Sequence, residues 1–473
     1  VAYFGIICMI RRFINKFFKK PTGQKKLIHG HSLTAQKINK RTHRINPELL
    51  SKNAVKVTHV LQEAGYDAYI VGGAVRDLLL GIAPKDFDVA TNATPDQVQK
   101  LFRRSRLIGR RFQIVHVTFY GKERPEIIEV STFRAHAQAD QADVAASGRI
   151  LRDNVWGDQV EDATRRDFSI NAMYYDPQTE VVLDYHNGMK DLNAKIIRMI
   201  GEPTQRYRED PVRMLRAVRF AAKTGFVIEK DTLAPIEQLG DLIQDVPSSR
   251  LFDEILKLLM SGHAWASIEG LEKVGLHHKI LPLIEVILSD EDRTAFVKKS
   301  LENTDERIKS GKPVSAGFLF ATLLWHDVQE AWVNFENALM PAVPALHAAI
   351  DQVFEHQKEF LGMQRRHEAD MREIWTMQPR LEKRVGRYPY RLVESPKFKA
   401  AYDFLLLRCQ TQEIDAEIGQ WWTDFWQGDD LLRADLMLQV KNTPGAAGSS
   451  STPKKRRRRT RSKAVKPVVE QTN

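Results

Sequence analysis

The sequence changes texture once, near Tyr207, and that change decides which folds are open to the chain. Upstream, apolar runs of strand length alternate with helical patterns; downstream, helical periodicity continues almost unbroken to about residue 426. A chain that mixes strands and helices first and then uses helices alone reads as α+β, a mixed α/β unit followed by all-α units. In the first unit, Leu50 to Ala64 is an amphipathic helix closed by Gly65. Ala68 to Val71 follows as a buried strand, and Ala74 to Leu80 as a helix stopped by Gly81. Phe87 to Ala90 is strand-like, and Thr94-Pro95-Asp96-Gln97 is a capping box that opens a helix through Phe102. Strands follow at Ile114 to Tyr120 and Ile127 to Phe133, and the unit ends near Ile200. Residues 135–163 have few large apolar side chains and read as a mobile loop. Helical patterns at 211–224, 232–244, 249–260 and 264–274 open the second part, where Pro341 and Pro344 suggest a joint between helical units.

The two ends are of another kind. Residues 1–30 hold seven basic residues and no acid, and 443–473 hold nine basic residues and one acid. Together they exceed the +11 of the whole chain, so the body between them is net acidic. The expected units are therefore a basic arm at 1–45, disordered or peripheral to a membrane, a mixed head at 46–205 and a helical neck at 206–290. A helical body with an arginine-rich C-terminal domain at 291–427 and a disordered polybasic tail at 428–473 complete them. No apolar run reaches the roughly 18 residues that span a bilayer; two cysteines in all fit a reducing cytoplasm, the expected location, with peripheral membrane contact through the arm as one option. The chain opens on Val, and Met9 offers another start, so residues 1–8 are open to being a start-site artefact. Cys8 and Cys409 are the only cysteines, too few for a disulfide framework or a thiolate zinc site.

Chemistry concentrates in Lys85-Asp86-Phe87-Asp88-Val89. On a strand, Asp86 and Asp88 share one face while Phe87 turns to the core. Two adjacent carboxylates repel unless a cation lies between them, and Mg²⁺ accepts hard oxygen ligands and brings substrate phosphates with it. Solvated strand-end acids are the plainer reading of the same pair. Upstream, Val71-Gly72-Gly73-Ala74-Val75-Arg76-Asp77 sets two glycines between a strand and a helix, where bare backbone N–H groups can meet a triphosphate and Arg76 can add a positive clamp.

The whole run, from Gly72-Gly73-x-x-Arg76-Asp77-Leu78-Leu79-Leu80-Gly81 through Pro84-x-Asp86-x-Asp88-x-x-Thr91, resembles the signature of the class II poly(A) polymerase and CCA-adding nucleotidyltransferase family. The resemblance implies a nucleotidyltransferase head, a two-ion Mg²⁺ site at Asp86 and Asp88, and ATP as substrate. Arg165-Arg166-Asp167-Phe168-Ser169-Ile170-Asn171 is similar to the family's second motif, which implies ribose contact by Arg166 and metal-site support by Asp167. Glu129 holds a strand position where the family often has a further acid; pairing with Arg134 is the alternative. Asp184-x-x-x-Gly188-x-x-Asp191 resembles the segment joining head to neck.

Glu209-Asp210-Pro211-Val212-Arg213 is a helix start, with Asp210 expected as cap and Pro211 at the first position. Asp210 and Arg213, three apart, can offer an acceptor and a forked donor to a base edge, and in the resembled family this arrangement selects the nucleobase. Arg216 and Arg219 continue the nucleotide-facing stripe, and Arg250 with Glu254 resembles the motif that buttresses it. The stretch Leu107 to Val117, with tandem Arg110-Arg111, resembles one that separates bacterial poly(A) polymerases from their CCA-adding relatives. Residues 361–410 resemble the arginine-rich domain of the same enzymes, with Arg365 and Arg366 beside Trp375, Tyr388 and Tyr390. RNA contacts are expected from Arg110, Arg111, Arg365, Arg366 and the tail residues Lys454, Lys455, Arg456, Arg457, Arg458 and Arg459. His326-Asp327 reads as a helix-end pair, and Trp421, Trp422 and Trp426 as core or interface.

The expectation is template-independent addition of AMP from ATP to RNA 3′ ends with release of pyrophosphate, promoting mRNA 3′ processing and decay. The partners are RNA 3′ ends and ATP, with a monomer and no obligate protein partner. A CCA-adding tRNA nucleotidyltransferase and a non-catalytic RNA-binding protein are the alternatives.

Overall fold

The computed structural model of the protein describes residues 33–109, 113–121, 125–135, 155–277, 282–358 and 362–442. The head is built on an eight-stranded sheet: β1 (Gln36–Ile38), β2 (Ala68–Val71), β3 (Asp88–Thr91), β4 (Ser105–Ile108), β5 (Ile114–Tyr120), β6 (Pro125–Thr132), β7 (Met173–Asp176) and β8 (Val181–Asp184). Its strand order is β1-β8-β7-β2-β3-β6-β5-β4. Every neighbouring pair is antiparallel except β3 and β6, which run parallel because the chain between them crosses over through the helix Pro95–Leu101.

Local chemistry sets these elements. Ser51 caps the helix Lys52–Glu63 by accepting from the backbone N–H groups of Asn53 and Ala54, and Ala54, Val57 and Leu61 form its buried stripe. That helix, with Gly73–Leu79 and Pro95–Leu101, covers one sheet face, where Ile70, Val89, Val115, Val117, Ile128 and Val130 are buried. The capping box at Thr94 and Gln97 forms as the spacing predicts. The opposite face carries a small cluster of Val71, Ala90, Phe133, Ala163 and Tyr174.

Head and neck are joined tightly. Asp184 accepts backbone N–H bonds from His186, Gly188 and Met189, which turns the chain into the helix Gly188–Ala194. A Cβ at Gly188 would stand 2.4 Å from the Ser169 carbonyl oxygen, so only glycine fits there. Beyond it, β9 (Ile196–Ile197) pairs in parallel with β10 (Val227–Ile228), a two-stranded sheet separate from the eight-stranded one.

The expected boundaries need correction at five points. The head begins before Asn46, because β1 pairs with β8 and His43 is buried against Tyr175, so residues 33–45 belong to it and not to an arm. The end of the expected loop at 135–163 is the helix Gln159–Arg165, held by a capping box between Asp158 and Glu161. Order does not fade at Gly428: Asp430–Asn442 is a helix that seats Leu436 and Met437 against the core around Trp421 and Trp422. One apolar core runs from Phe168 through the neck to Leu407, without a break near 290. Pro341 lies between Trp325–Asn337 and Ala342–Lys358, two helices that share that core, so it marks a turn and not a joint. The core changes within the helix Arg365–Glu382, whose Ile374 and Trp375 face the neck and body while Met377 and Leu381 face the C-terminal unit. No helix among the described residues is long and apolar enough to cross a membrane. Of the arm expected to touch one, residues 1–45, positions 1–32 lie outside the described residues.

Candidate active site between head and neck

A cleft of about 600 Å³ separates head from neck. All twelve expected catalytic and nucleotide-binding residues line it: Gly72, Gly73, Arg76, Asp86, Asp88, Glu129, Arg166 and Asp167 from the head, and Asp210, Arg213, Arg216 and Arg219 from the neck. The buried strand β2 delivers Gly72 at φ +73°, in the left-handed half of backbone space. A Cβ there would sit 3.4 Å from Arg166 Nη1 and 3.8 Å from Asp88 Oδ2, so the bare glycine keeps the turn close to both charges.

Asp88 opens β3, Asp86 precedes it on exposed chain, and Phe87 between them is buried, in keeping with the alternation. Asp88 is the register partner of Glu129 on β6. Its carboxyl is pushed up to about 6, first by burial and then by the Glu129 charge, with Arg166 opposing and Asp86 adding to the rise. Across the strands, His116 Nε2 lies 3.3 Å from Glu129 Oε1. No group of three or more His, Cys, Asp or Glu among the described residues is arranged to hold a metal ion. The Asp pair nevertheless fits a hard divalent cation. It supplies oxygen ligands only, its negative charge is crowded, and Mg²⁺ completes its shell with water and substrate phosphate instead of an all-protein cage.

Most of the arginines are committed to partners. Arg76 is only 2% exposed; it donates to Asp77 at 2.7 and 2.9 Å and to Asn171 at 2.7 Å, so it is a buried strut whose charge is fixed in place at the cleft wall. Arg166 donates to Asp162 and to the Tyr174 hydroxyl, and Tyr174 donates in turn to Asp162 at 2.7 Å. Asp167 accepts from Arg216 Nε at 2.8 Å, from the Phe168 backbone at 2.8 Å and from Asn171 at 3.3 Å. Although burial alone would raise it, Arg216 and these donors hold its carboxyl down at about 2.

At the neck, Pro211 and not Asp210 precedes the helix Val212–Thr224, and no side chain caps it. The Asp210 carboxylate instead takes Arg250 Nη2 at 2.6 Å. Arg213 donates to the Arg206 carbonyl at 2.8 Å and to Glu209 at 3.2 Å. Glu254 receives Lys257 at 2.9 Å and stands 3.9 Å from Arg219.

The cleft also gathers residues the sequence reading passed over. Lys85 and Lys257 line it, as does Lys223, whose Nζ bridges neck to head at 3.1 Å from Asp77 Oδ2. Lys223 was within reach of periodicity: Arg216, Phe220 and Lys223 repeat at helical spacing along Val212–Thr224. Arg365 and Arg366 lie elsewhere, exposed at the start of Arg365–Glu382, and Trp375 on that helix is fully buried, so it offers no stacking face. Arg110, Arg111 and the tail from Lys454 to Arg459 lie outside the described residues. Asp327 pairs with Arg293 at 2.8 Å and His326 packs edge-on to Phe296, while Trp421 and Trp422 are buried in the C-terminal core.

Three family profiles match in succession: the Poly A polymerase head domain at 68–198, the Probable RNA and SrmB-binding site of polymerase A at 225–288, and the Polymerase A arginine-rich C-terminus at 338–463. Poly(A) polymerase I of Salmonella typhimurium is 44% identical over 399 residues, which cover 82% of this chain and 85% of that one. The chain belongs to the poly(A) polymerase family. The CCA-adding enzyme of Bacillus velezensis is 34% identical over 254 residues, 54% of this chain and 62% of that one. Among solved structures, the Bacillus stearothermophilus CCA-adding enzyme in complex with CTP superposes with a TM-score of 0.52 at 25% identity, covering 84% of this chain and 83% of that one. The poly(A) polymerase match covers 82% of this chain and the CCA-adding match 54%.

Proposed function

We infer that the chain is a template-independent polynucleotide adenylyltransferase that adds AMP from ATP to RNA 3′ ends, releases pyrophosphate, and so promotes mRNA 3′ processing and decay. The observation that carries this is a single cleft with the glycine turn and Asp pair on its head wall and the Asp210 to Arg219 stretch on its neck wall. In the reaction the RNA 3′ oxygen forms a bond to the α-phosphorus of ATP as the bond to pyrophosphate breaks. Asp86 and Asp88 would hold Mg²⁺, which when bound polarises the 3′ hydroxyl and offsets charge on the departing pyrophosphate. The Gly72-Gly73 turn brings bare backbone to the triphosphate, and Arg166 stands behind it as a fixed positive charge.

Asp210 and Arg213 are assigned to the base edge, because Arg250 and Glu209 hold them in place and limit the entropy lost on binding. Asp167 is assigned to positioning: its pair with Arg216 ties the second head motif to the neck helix. Glu129, beside Asp88 in register, is the better placed of the two for assisting the Asp pair, since Asp167 has its oxygens taken. Arg365, Arg366 and the tail residues are assigned to RNA phosphates. The reading takes the chain as a cytoplasmic monomer.

The test is incorporation of each labelled nucleoside triphosphate into an unstructured RNA, alongside a tRNA lacking its CCA end supplied with CTP and ATP. Long homopolymeric tails from ATP alone support adenylyl transfer. Strict addition of two C and one A to the tRNA, with no tail on the RNA, would establish the CCA-adding alternative. No incorporation on either substrate would leave an RNA-binding protein.

A further inference from the structure

The two faces of the head sheet differ on the β4–β5–β6 side. One face is packed beneath helices, through Val115, Val117, Ile128 and Val130. The other is left open among the described residues, where Tyr120 is 70% and Ile127 45% exposed. Register sets a line of polar side chains across this open face. Asp88 on β3 pairs with Glu129 on β6, Glu129 with His116 on β5, and His116 with Arg106 on β4. Direct partners project from the same side of a sheet, so these four form one row from the Asp pair to the sheet edge. Three strand spacings make it about 14 Å long. His116 and Glu129 touch within it, and Arg106 ends it in solvent. Tyr120 lies on the same face two positions beyond Thr118, with the Arg104 guanidinium 5.1 Å from its ring centroid.

We propose that this open face of β4, β5 and β6 is the track on which the 3′-terminal stretch of single-stranded RNA reaches the Asp pair, with Tyr120 as a base-stacking surface and Arg104 and Arg106 as phosphate contacts. The inference rests on the adenylyl-transfer reading above, which requires the last nucleotide of the RNA at Asp86 and Asp88, where the row begins. Single-stranded RNA is the occupant that fits. Exposed aromatic faces beside cations bind successive bases without regard to sequence, as a growing homopolymer needs. The neck wall of the cleft, by contrast, has its arginines held in ion pairs with Glu209, Asp167 and Glu254.

The experiment titrates 5′-fluorescein oligoadenylate into the full chain, with Tyr120→Ala and Arg106→Glu as separate variants, and follows anisotropy together with the ATP and RNA dependence of incorporation. Both side chains are exposed, so the thermal midpoint should stay with the wild type and report an intact fold. Loss of one stacking aromatic should weaken oligoadenylate binding on the order of tenfold and raise the RNA concentration for half-maximal rate in parallel, with the ATP half-saturation unchanged. A 4-thiouridine placed just upstream of the 3′ end should crosslink to β5 or β6. Binding within twofold of wild type in both variants, or crosslinks confined to residues 203–277, would overturn the track. A wild-type chain that binds oligoadenylate through Tyr120 yet incorporates no AMP would sink the adenylyl-transfer reading and leave the binding face standing.

Discussion

The cleft and the helix Arg365–Glu382 are both rich in guanidinium groups, but they use them in opposite ways. In the cleft, Arg76, Arg166 and Arg216 are held by Asp77, Asp162 and Asp167, and the charge is fixed before any substrate arrives. On the C-terminal helix, Arg365 and Arg366 stand in solvent. A fixed charge in a water-poor site needs no reorganisation when the substrate arrives, whereas an exposed one acts at long range and is screened by salt. The same residue type therefore does short-range positioning in one region and diffuse attraction in the other. The following substitutions bear on that contrast.

The largest effect should come from the carboxylates at the centre of the cleft. Asp86→Ala or Asp88→Ala should lower incorporation at saturating ATP by at least about a thousandfold, since loss of a metal-ion contribution is worth several kcal/mol. Circular dichroism and the thermal midpoint should be unchanged or, for Asp88, raised, because one of the crowded charges is gone. Chelation of divalent ions should silence the wild type equally. Near-normal rates in either variant at low Mg²⁺ would remove the cleft from the chemistry.

Next in size is the pair that fixes charge between head and neck. Arg216→Ala leaves the buried Asp167 without its main partner and should cost about 3 kcal/mol of stability, read from denaturant midpoints. The pH dependence gives an independent sign. Asp167 is held at about 2 against an ordinary 3.8, so its contribution is complete above about pH 4 and is lost as pH falls from there toward 2. Acid unfolding of Asp167→Asn should be shallower than that of wild type across this window. Identical acid profiles would mean that the pair carries no linkage.

The sequence showed the outline of this site but not the state of its charges. The glycine turn, the Asp pair and the helix Val212–Thr224 follow from short-range rules of turn, alternation and periodicity, and the structure places them on one cleft. That Arg76 is a strut was hidden, because its partner Asn171 lies 95 residues away and only the fold joins them. Strand β1 was missed for a similar reason: three residues with one buried side chain take their order from β8 and not from themselves. The helix Gln159–Arg165 did carry a local signal, the Asp158-x-x-Glu161 capping box, which the polar composition around it obscured. Among its described side chains Asp430–Asn442 buries only Leu436 and Met437 while Leu431, Leu432 and Leu438 stay exposed, a pattern too weak to separate it from a tail.

A smaller effect is expected at the neck. Arg213→Ala removes a donor that Glu209 and the Arg206 carbonyl hold in place, and one lost hydrogen bond to a base edge is worth roughly 1 to 1.5 kcal/mol. ATP preference over the other nucleoside triphosphates should fall by about tenfold while oligoadenylate affinity stays near wild type. Weakened RNA binding with unchanged nucleotide choice would move Arg213 from the nucleotide to the RNA.

The smallest effect belongs to the exposed arginines, and it tests the other half of the contrast. Arg365→Ala and Arg366→Ala remove side chains that stabilise nothing in the core, so stability should stay within about 0.5 kcal/mol of wild type. If each makes one phosphate contact, each substitution should lower the slope of log affinity against log salt by roughly 0.7 on single-stranded RNA. The loss in affinity should therefore be measurable at low salt and vanish as salt rises, with no change in nucleotide choice. Arg216→Ala should show the reverse pattern, with a stability loss at every salt concentration, because a buried pair is poorly screened. If Arg365→Ala destabilised the fold, or left the salt slope untouched, the C-terminal helix would be using its arginines for structure, as the cleft does, and the contrast between the two regions would fail.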